Sequence, residues 1–392
     1  MYRQLKSKST VFLKKAFGGI ANVLLIGLAS RIVVFLSAII GSTIIGFTPS
    51  PGLWNLGLPI VNLFSRWDAG WYMIIAEKGY PVGNNPVGWE WAWFPLYPIS
   101  MRIVSYTFIG LLSSSQAVAL AGFLISNLLF FVSLVIFYKL SQIVLAKNEL
   151  AFLSTIFFAF WPGSLFYSCV YSESLFMTFA VGSFYFLEKA RTKSAVLAGF
   201  LAALTRSNGL VVSIPFFCRA VEKRRYNLIL GSLLICSSYL LFSIYGLIMT
   251  GVFPVREIAG AQHWGKSSLI DQLSTLDIGY KLNFSLEFVF ILLPLVYLLA
   301  TKPLLSTQTL GLKNSQNEGK YFTFALAQLG MILVYYIEIR SIHRYAVSII
   351  PLYWVQARLW SRSQIVGIAM LTVLVMMLSL GTLLFVTWRP YL

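Results

Sequence analysis

Long apolar runs recur along this chain from one end to the other, and they constrain its fold more than any other feature. Of its 392 residues, 58% are hydrophobic and only 11% are charged, and the mean hydropathy is +0.78. A soluble core does not need so much apolar surface, whereas an apolar helix of about 20 residues crosses a membrane. The sequence therefore predicts an all-α polytopic membrane protein with a single integral membrane domain over residues 1–392.

The hydropathy pattern predicts about eleven helices that cross or enter the membrane. They are placed near 22–47, 117–139, 150–170, 174–188, 194–205, 208–221, 226–250, 284–300, 321–337, 343–357 and 364–387. The segments 194–205 and 208–221 are too short to span, so they form either a re-entrant pair or one broken helix. Either arrangement implies a cavity near Arg206, because irregular backbone at membrane depth must be buried by protein or by a wet cavity.

Two long polar loops lie between predicted helices, the first over 48–116 and the second over 251–283. Clusters of Lys and Arg lie at the N-terminus and around 189–193 and 219–225, between apolar runs. The positive-inside tendency makes that side cytoplasmic, so the N-terminus is expected in the cytoplasm and both loops on the exoplasmic face. The net charge of +17 follows from these clusters, and we expect no nucleic acid as a partner.

The first loop carries the segment SRWDAGWY at 65–72. Aromatic residues of this kind belong at a membrane interface, where the carboxylate of Asp68 could take a proton from a hydroxyl group as a general base. Asp is equally favoured as the N-cap of a helix, here a short interfacial helix beginning at Ala69. Both interpretations stay open from spacing alone. Glu77 and Glu90 share the loop and compete for the role of base, although neither has comparable surroundings.

Glu173 and Arg206 are two further candidates at the exoplasmic ends of apolar runs. Ser172 could cap the following helix with Glu173 in its first turn, or Glu173 could orient a sugar or the loop that carries Asp68. An Arg at the centre of an apolar helix costs about 2.5–3.5 kcal/mol, so Arg206 should have a partner or face water. That partner is either an acid such as Glu173 or an anionic ligand, and the adjoining Asn208 could simply belong to a helix-ending turn.

His343 and Arg344 begin another apolar span on the same face. Snorkelling accounts for an isolated Arg at such a position, but a second cation beside Arg206 would also suit a phosphate group. The sequence has no nucleotide-binding Gly-rich loop and no HExxH motif, which favours a lipid rather than a nucleotide sugar as the donor of any transferred group. No cofactor is predicted, and a divalent metal ion stays open because no ligand set is specific enough to predict one.

Six motifs of the sequence, taken in order, resemble those of the GPI mannosyltransferase 2 (PIG-V) family and its prokaryotic relatives. They are RWD at 66–68, GYP at 79–81, FPLYP at 94–98, YSESLF at 171–176, RSNGL at 206–210 and HRY at 343–345. The resemblance implies a GT-C-type glycosyltransferase that moves a sugar, typically mannose, from a polyprenyl phosphate to an acceptor hydroxyl on the exoplasmic face, with inversion.

The resemblance also implies roles for individual residues. Asp68 would be the catalytic base, while Arg206 and Arg344 would steady the departing lipid phosphate in a groove of low dielectric constant. The residues expected to bind substrate are Arg66, Trp67, Glu173, Arg206, Asn208, His343 and Arg344. The expected partners are the polyprenyl-phosphate sugar, the lipid bilayer, and an acceptor that is a glycan, a lipid or a protein. In a prokaryote the membrane would be the plasma membrane.

Two other classes of protein compete with the transferase. A transporter or flippase for lipid-linked saccharides also has broken helices and intramembrane Arg residues. The large aromatic first loop counts against it, as does the lack of a matching pair of broken segments in the two halves of the sequence. A structural partner in an assembly is the third class.

Overall fold

The structure, a computed structural model, describes residues 19–47, 56–83, 88–254, 315–335 and 342–389, and within these ranges its regular elements are helices. The α-helices are α1 (Ile20–Ile40), α2 (Pro59–Phe64), α3 (Ala69–Lys78), α4 (Leu96–Ser105), α5 (Ser114–Leu145), α6 (Asn148–Phe160), α7 (Glu173–Glu188), α8 (Thr192–Ala203), α9 (Ile214–Lys223), α10 (Tyr226–Thr250), α11 (Ser315–Tyr335), α12 (Ile342–Ala346), α13 (Ile350–Arg362) and α14 (Gln364–Val386). The predicted helix over 284–300, and the predicted second loop beyond residue 254, lie outside the described residues.

Four of these helices are long and apolar enough to cross a membrane: α1 with the π-helical turn Gly41–Ile45 that continues it, α5, α10 and α14. Large apolar side chains such as Leu25, Leu128 and Leu233 are exposed on their surfaces. A bilayer would cover this surface, since lipid tails are as apolar as leucine. The all-helical class and the multi-pass character of the chain are therefore confirmed.

Helix α5 is central to the packing, because it contacts α1, α4, α6 and α7. An aromatic core lies along it, in which the ring of Phe158 stacks on Phe137 at 4.8 Å and on Tyr167 at 5.4 Å between centroids. Offset or edge contacts of this kind add to the gain from apolar burial. This core supports the 3₁₀ segment Pro162–Tyr167, which leads into the site described below.

Arg31 of α1 ties that 3₁₀ segment to the first helix. Its buried guanidinium donates to the Ser164 carbonyl and to the Ser168 hydroxyl, both at 2.9 Å, and lies 4.1 Å from the centroid of the Phe130 ring. A buried cation is tolerated when it is hydrogen-bonded, as Arg31 is through Nη1 and Nη2. Arg31 therefore holds the chain that precedes Glu173 against α1.

Two helices that the hydropathy pattern predicted as continuous are interrupted, and proline explains both interruptions. The helix predicted over 150–170 ends at Phe160, because the ring of Pro162 would clash with the carbonyl four residues earlier. The helix predicted over 343–357 is divided into α12 and α13, with Pro351 in the first turn of α13. The carbonyl of Val347, which Pro351 cannot bond, accepts from the Tyr353 hydroxyl at 2.8 Å instead.

The two short segments around Arg206 form a hairpin rather than one broken helix. Helix α8 ends at Ala203, the 3₁₀ segment Ser207–Ser213 packs back against it, and α9 follows. The turn of this hairpin lies at Arg206 beside Glu173, the first residue of α7. At the other end, Arg219 of α9 contacts Glu188, the last residue of α7. The hairpin therefore places Arg206 at the N-terminal end of α7.

The segment predicted to form the first loop contains the short helices α2, α3 and α4. Gly79 ends α3 with φ +81°, a conformation that only glycine adopts at low cost. Tyr80 then donates to the Trp93 carbonyl at 2.6 Å and stacks on the Trp91 ring at 4.5 Å. Tyr97 of α4 donates to the Gly122 carbonyl of α5 at 3.1 Å. The GYP and FPLYP motifs thus serve to fold this loop and dock it on the bundle.

Candidate active site

Asp68 lies in a sharp turn between α2 and α3. Trp67 has φ +54°, a left-handed conformation that costs a non-glycine residue about 1–2 kcal/mol. Two contacts hold it there, because its indole Nε1 donates to the Phe385 carbonyl at 3.3 Å and its ring lies 5.1 Å from that of Trp388. The turn is therefore fixed against the end of α14.

Tyr171 clamps the same turn from the other side. Its hydroxyl accepts from the Asp68 backbone N–H and donates to the Arg66 carbonyl, both at 3.1 Å. The backbone N–H of Val170 also donates to the Phe64 carbonyl at 3.0 Å. The loop that carries Asp68 and the loop that carries Glu173 are consequently bound to each other through the main chain.

Four charged side chains from distant parts of the chain form one connected group. Arg344 Nη1 donates to Asp68 Oδ2 at 2.6 Å, and Arg344 Nε donates to Glu173 Oε1 at 2.5 Å. Arg206 Nη1 donates to the same Glu173 oxygen. We call Asp68, Arg344, Glu173 and Arg206 the charged quartet. Two positive charges face two negative ones in it, so the quartet is electrically neutral.

Exposure differs sharply within the charged quartet. The Glu173 side chain is only 2% exposed, and both Arg side chains are nearly buried, but the Asp68 side chain is 40% exposed. Asp68 Oδ1 accepts no hydrogen bond from the part of the chain that the structure describes. One carboxylate oxygen of Asp68 is thus held by Arg344, while the other stays accessible from outside the protein.

Neither of the capping interpretations describes what the side chains do. Asp68 precedes α3, but its side chain makes no capping bond and pairs with Arg344 instead. Ser172 precedes α7, yet its hydroxyl bonds the Tyr72 hydroxyl at 2.8 Å and accepts from Arg206 Nη1 at 3.4 Å. Both polar groups are directed into the charged quartet.

Glu173 is charged despite its burial. Burial alone would raise the pKa of the Glu173 carboxyl, but the positive charges of Arg206 and Arg344, together with their hydrogen bonds, hold that pKa below its usual value. A buried carboxylate flanked by two guanidinium groups behaves in this way because the charged form is favoured by both attraction and hydrogen bonding. Glu173 therefore fixes the two Arg side chains in place.

The hairpin turn that presents Arg206 requires Gly209. A Cβ atom on Gly209 would lie 2.5 Å from the Ala203 Cα and 2.6 Å from the Ala202 carbonyl oxygen, so no larger residue fits. The adjoining Asn208 is buried, and its side-chain N–H₂ donates to Gln328 Oε1 of α11 at 3.3 Å. Asn208 therefore anchors the hairpin to α11 and does not touch the charged quartet.

Gln328 extends that anchor to the segment that carries Arg344. Its Oε1 accepts from the Ser348 hydroxyl at 3.3 Å, and its Nε2 donates to the Asn208 carbonyl at 3.3 Å. Ser348 follows Arg344 by four residues. A fully buried amide thus links the two chain segments that supply the cations of the charged quartet.

Arg66, two residues before Asp68, is buried but is not part of the charged quartet. Its side chain is 0% exposed, and its Nε, Nη1 and Nη2 have no hydrogen-bond partner among the described residues. Its guanidinium carbon lies 5.3 Å from the Phe47 ring and 5.5 Å from the Trp388 ring. This cation is therefore surrounded by aromatic faces instead of acceptors.

The remaining candidates lie elsewhere. Trp67 is 42% exposed next to Asp68, so one face of its ring is open. His343 is the second residue of α12, and its side chain lies outside the described part of the structure. Glu77 lies near the end of α3 and Glu90 in the 3₁₀ segment Trp89–Ala92, and neither pairs with an Arg of the charged quartet. Among the described residues, no three His, Cys, Asp or Glu side chains are grouped as metal ligands.

Sequence reasoning missed the supporting residues around the charged quartet. Tyr72 and Tyr171 stand inside the quoted motifs, but nothing in the sequence shows which atoms their hydroxyls contact. Gln328 does leave a signal, since it is an amide within the apolar stretch 324–334 of α11, and a buried amide needs a polar partner.

A helical bundle with four helices long and apolar enough to cross a membrane, and with a neutral group of two carboxylates and two guanidinium groups, defines a membrane protein with a charged site. The sequence profile of the family described as Mannosyltransferase (PIG-V) matches residues 54–250, about half of the chain. The chain belongs to this family. The matched region contains Asp68, Glu173 and Arg206, whereas Arg344 lies beyond it.

Individual relatives agree with the family. GPI alpha-1,6-mannosyltransferase 2 of Rattus norvegicus is 31% identical over 166 residues, which are 42% of this chain and 33% of the relative. The protein of the same name from Homo sapiens is 30% identical over 150 residues, 38% of this chain and 29% of the relative. GPI mannosyltransferase 2 of Drosophila pseudoobscura pseudoobscura is 29% identical over 215 residues, 52% of this chain and 45% of the relative. The matched part of this chain thus spans between about a third and a half of these relatives.

Proposed function

We propose that the chain is a membrane mannosyltransferase that moves mannose from a polyprenyl-phosphate donor to an acceptor hydroxyl on the exoplasmic face. The observation that carries the proposal is the position of Asp68, held by Arg344 through one carboxylate oxygen and accessible at the other. The names of the relatives support mannose as the sugar, and they favour the transferase over the transporter.

In the proposed reaction the acceptor oxygen attacks the anomeric carbon of mannose as its proton passes to Asp68 Oδ1. The bond between that carbon and the phosphate oxygen breaks, and its electron pair stays on the departing polyprenyl phosphate. The attack and departure occur on opposite faces, so the configuration inverts. A base must lie within hydrogen-bond reach of the hydroxyl it serves, and the 40% exposure of the Asp68 side chain permits that approach.

Arg344 would serve two purposes in this scheme. Its bond to Asp68 Oδ2 orients the carboxylate, and its bond to Glu173 fixes the guanidinium itself. The positive charges of Arg344 and Arg206 would then stabilise the leaving phosphate, whose charge develops in the transition state. Glu173 is too buried to meet a substrate and acts as the residue that positions both cations.

Transfer of radiolabelled mannose from synthetic polyprenyl-phosphate mannose to membrane acceptors tests the proposal. We expect wild-type protein to transfer label and Asp68→Asn to lose at least about a hundredfold, as general bases contribute roughly 10²–10⁴-fold. Glu77→Gln is the matched control, because it removes another carboxylate from the same loop without touching the charged quartet. Equal transfer by wild type and Asp68→Asn would refute the assignment of the base, and no transfer by wild type from this donor would refute the function.

A further inference from the structure

We propose that Arg66 binds the phosphate group of the lipid-linked donor and supplies the net positive charge that attracts this anion to the site. The inference rests on the proposed function and adds to it a residue for which the structure shows no other ionic role. It starts from the contrast between Arg66 and the other buried Arg residues of the described chain.

The three other buried Arg residues among the described residues all have polar partners. Arg31 is hydrogen-bonded by serine groups, and Arg206 and Arg344 are paired with carboxylates. Arg66 is as buried as they are, yet its three guanidinium nitrogens have no hydrogen-bond partner in the described residues. A buried charge without hydrogen bonds is costly, and a ligand that bonds such a group would account for its presence.

The surroundings of Arg66 reduce this cost without removing it. The rings of Phe47 and Trp388 offer their faces to the cation, but an aromatic face accepts no strong hydrogen bond. Burial lowers the pKa of Arg66 only to about 10, so it stays protonated at neutral pH. The guanidinium thus keeps its full charge and all its side-chain N–H donors available to an oxyanion.

The charge balance of the site points to the same ligand. The charged quartet is neutral, so it does not by itself compensate the negative charge of a phosphodiester. Arg66 adds one positive charge, and the planar fork of a guanidinium matches phosphate oxygens in a bidentate manner. Arg66 stands two residues before Asp68, which limits the distance between their Cα atoms to about 7 Å. The residue that would hold the phosphate therefore belongs to the same turn as the proposed base.

The apolar surface nearby suits the lipid part of the same donor. Phe47 is 45% exposed at the end of α1, and Ile44 just before it is 77% exposed. A polyprenyl chain lying along this end of α1 would bring its phosphate to the rings that cover Arg66. Because the Phe47 side chain is half exposed, it can change rotamer and open the guanidinium to the ligand.

Binding of polyprenyl phosphate to the purified full-length protein tests the inference without depending on sugar transfer. The probe is compared with neutral polyprenol of the same chain length and with phosphatidic acid. We expect wild type to bind polyprenyl phosphate roughly tenfold or more tightly than polyprenol, as a charge-assisted hydrogen bond allows, and more tightly than phosphatidic acid. Arg66→Met should lose that preference and Arg66→Lys should retain part of it. Arg389→Met, which removes an exposed cation beside Trp388, should bind like wild type.

Thermal unfolding of the ligand-free variants separates binding from packing. A ligand-binding Arg66 predicts a melting temperature for Arg66→Met equal to or above that of wild type, because an unpartnered buried charge has been removed. A lower melting temperature, or failure to fold, would assign Arg66 to cation–aromatic packing and overturn the inference. Unchanged phosphate preference in Arg66→Met, no preference in wild type, or equal binding of phosphatidic acid would also overturn it. If Arg66 governs the preference but wild type transfers no mannose, the proposed function fails and the phosphate site remains.

Discussion

Replacing Glu173 by glutamine should destabilise the protein more than any single loss of a carboxylate on its surface. Glu173 Oε1 receives hydrogen bonds from both Arg206 and Arg344, and the side chain is 2% exposed. Glu173→Gln changes the charged quartet from neutral to a net charge of +1, with two guanidinium groups left facing an uncharged amide. Breaking one buried ion pair costs about 3–5 kcal/mol, and here two pairs share the carboxylate.

The measurement is reversible unfolding of the purified protein in detergent, with Glu222→Gln as the matched control. Glu222 is exposed on α9, so its replacement should change the free energy of unfolding by less than about 0.5 kcal/mol, as is usual for surface substitutions. For Glu173→Gln we expect a loss of at least about 3 kcal/mol. Adding Arg206→Met to Glu173→Gln should restore part of that loss, because one of the two unpaired cations is then absent.

A result within about 1 kcal/mol of wild type for Glu173→Gln would refute the reasoning, because a surface ion pair has that magnitude. The reasoning would also be refuted if the free energy of unfolding lost by the double variant, Glu173→Gln with Arg206→Met, equalled the sum of the losses of the two single variants. Residues that share an ion pair show coupling of about 0.5–3 kcal/mol, and strict additivity would mean that Glu173 and Arg206 do not interact.

Two further predictions concern the backbone around the charged quartet. Gly209→Ala should lower the free energy of unfolding by about 1–3 kcal/mol, as overpacking does, because its Cβ would meet the backbone of Ala203 and Ala202. The control Gly182→Ala has no atom within 4 Å of the added Cβ and should be neutral or stabilising. Equal losses of stability in the two variants would contradict the close approach at Gly209. Tyr171→Phe removes the hydroxyl that bonds the main chain on both sides of Trp67. It should lower kcat for mannose transfer about tenfold, which corresponds to a loss of roughly 1.4 kcal/mol, and should change the KM for the donor less. An unchanged kcat would show that the turn holds Asp68 without Tyr171.

Much of the fold could be predicted because it follows from local composition. The helix predicted over 226–250 has the same bounds as α10, and the helix predicted over 174–188 begins one residue late. Errors arose where a proline interrupts an apolar run, at Pro162 and Pro351, because hydropathy does not register a missing backbone donor. The hairpin at Arg206 could be narrowed only to two alternatives, since a short apolar segment does not show which neighbour it packs against.

The candidate site was predictable as a set of residues but not as an arrangement. The pairing of Arg206 with Glu173 was one of two alternatives from the sequence, and the structure shows that pairing. The contact between Arg344 and Asp68 joins residues 276 positions apart, and no spacing rule reaches so far. Local sequence favours capping by Asp68 and Ser172, yet both side chains bond tertiary partners instead.

The sequence by itself determined that this chain is an apolar, helical membrane protein in which only 11% of the residues are charged. Those properties depend on composition and on periodicity, which act over a few residues. Only the tertiary structure decided that four charges cancel one another in the charged quartet while Arg66, from the same RWD motif, is left without a polar partner among the described residues. The physical reason is that burial and charge pairing depend on which distant segments meet, and that is fixed by the packing of the whole bundle.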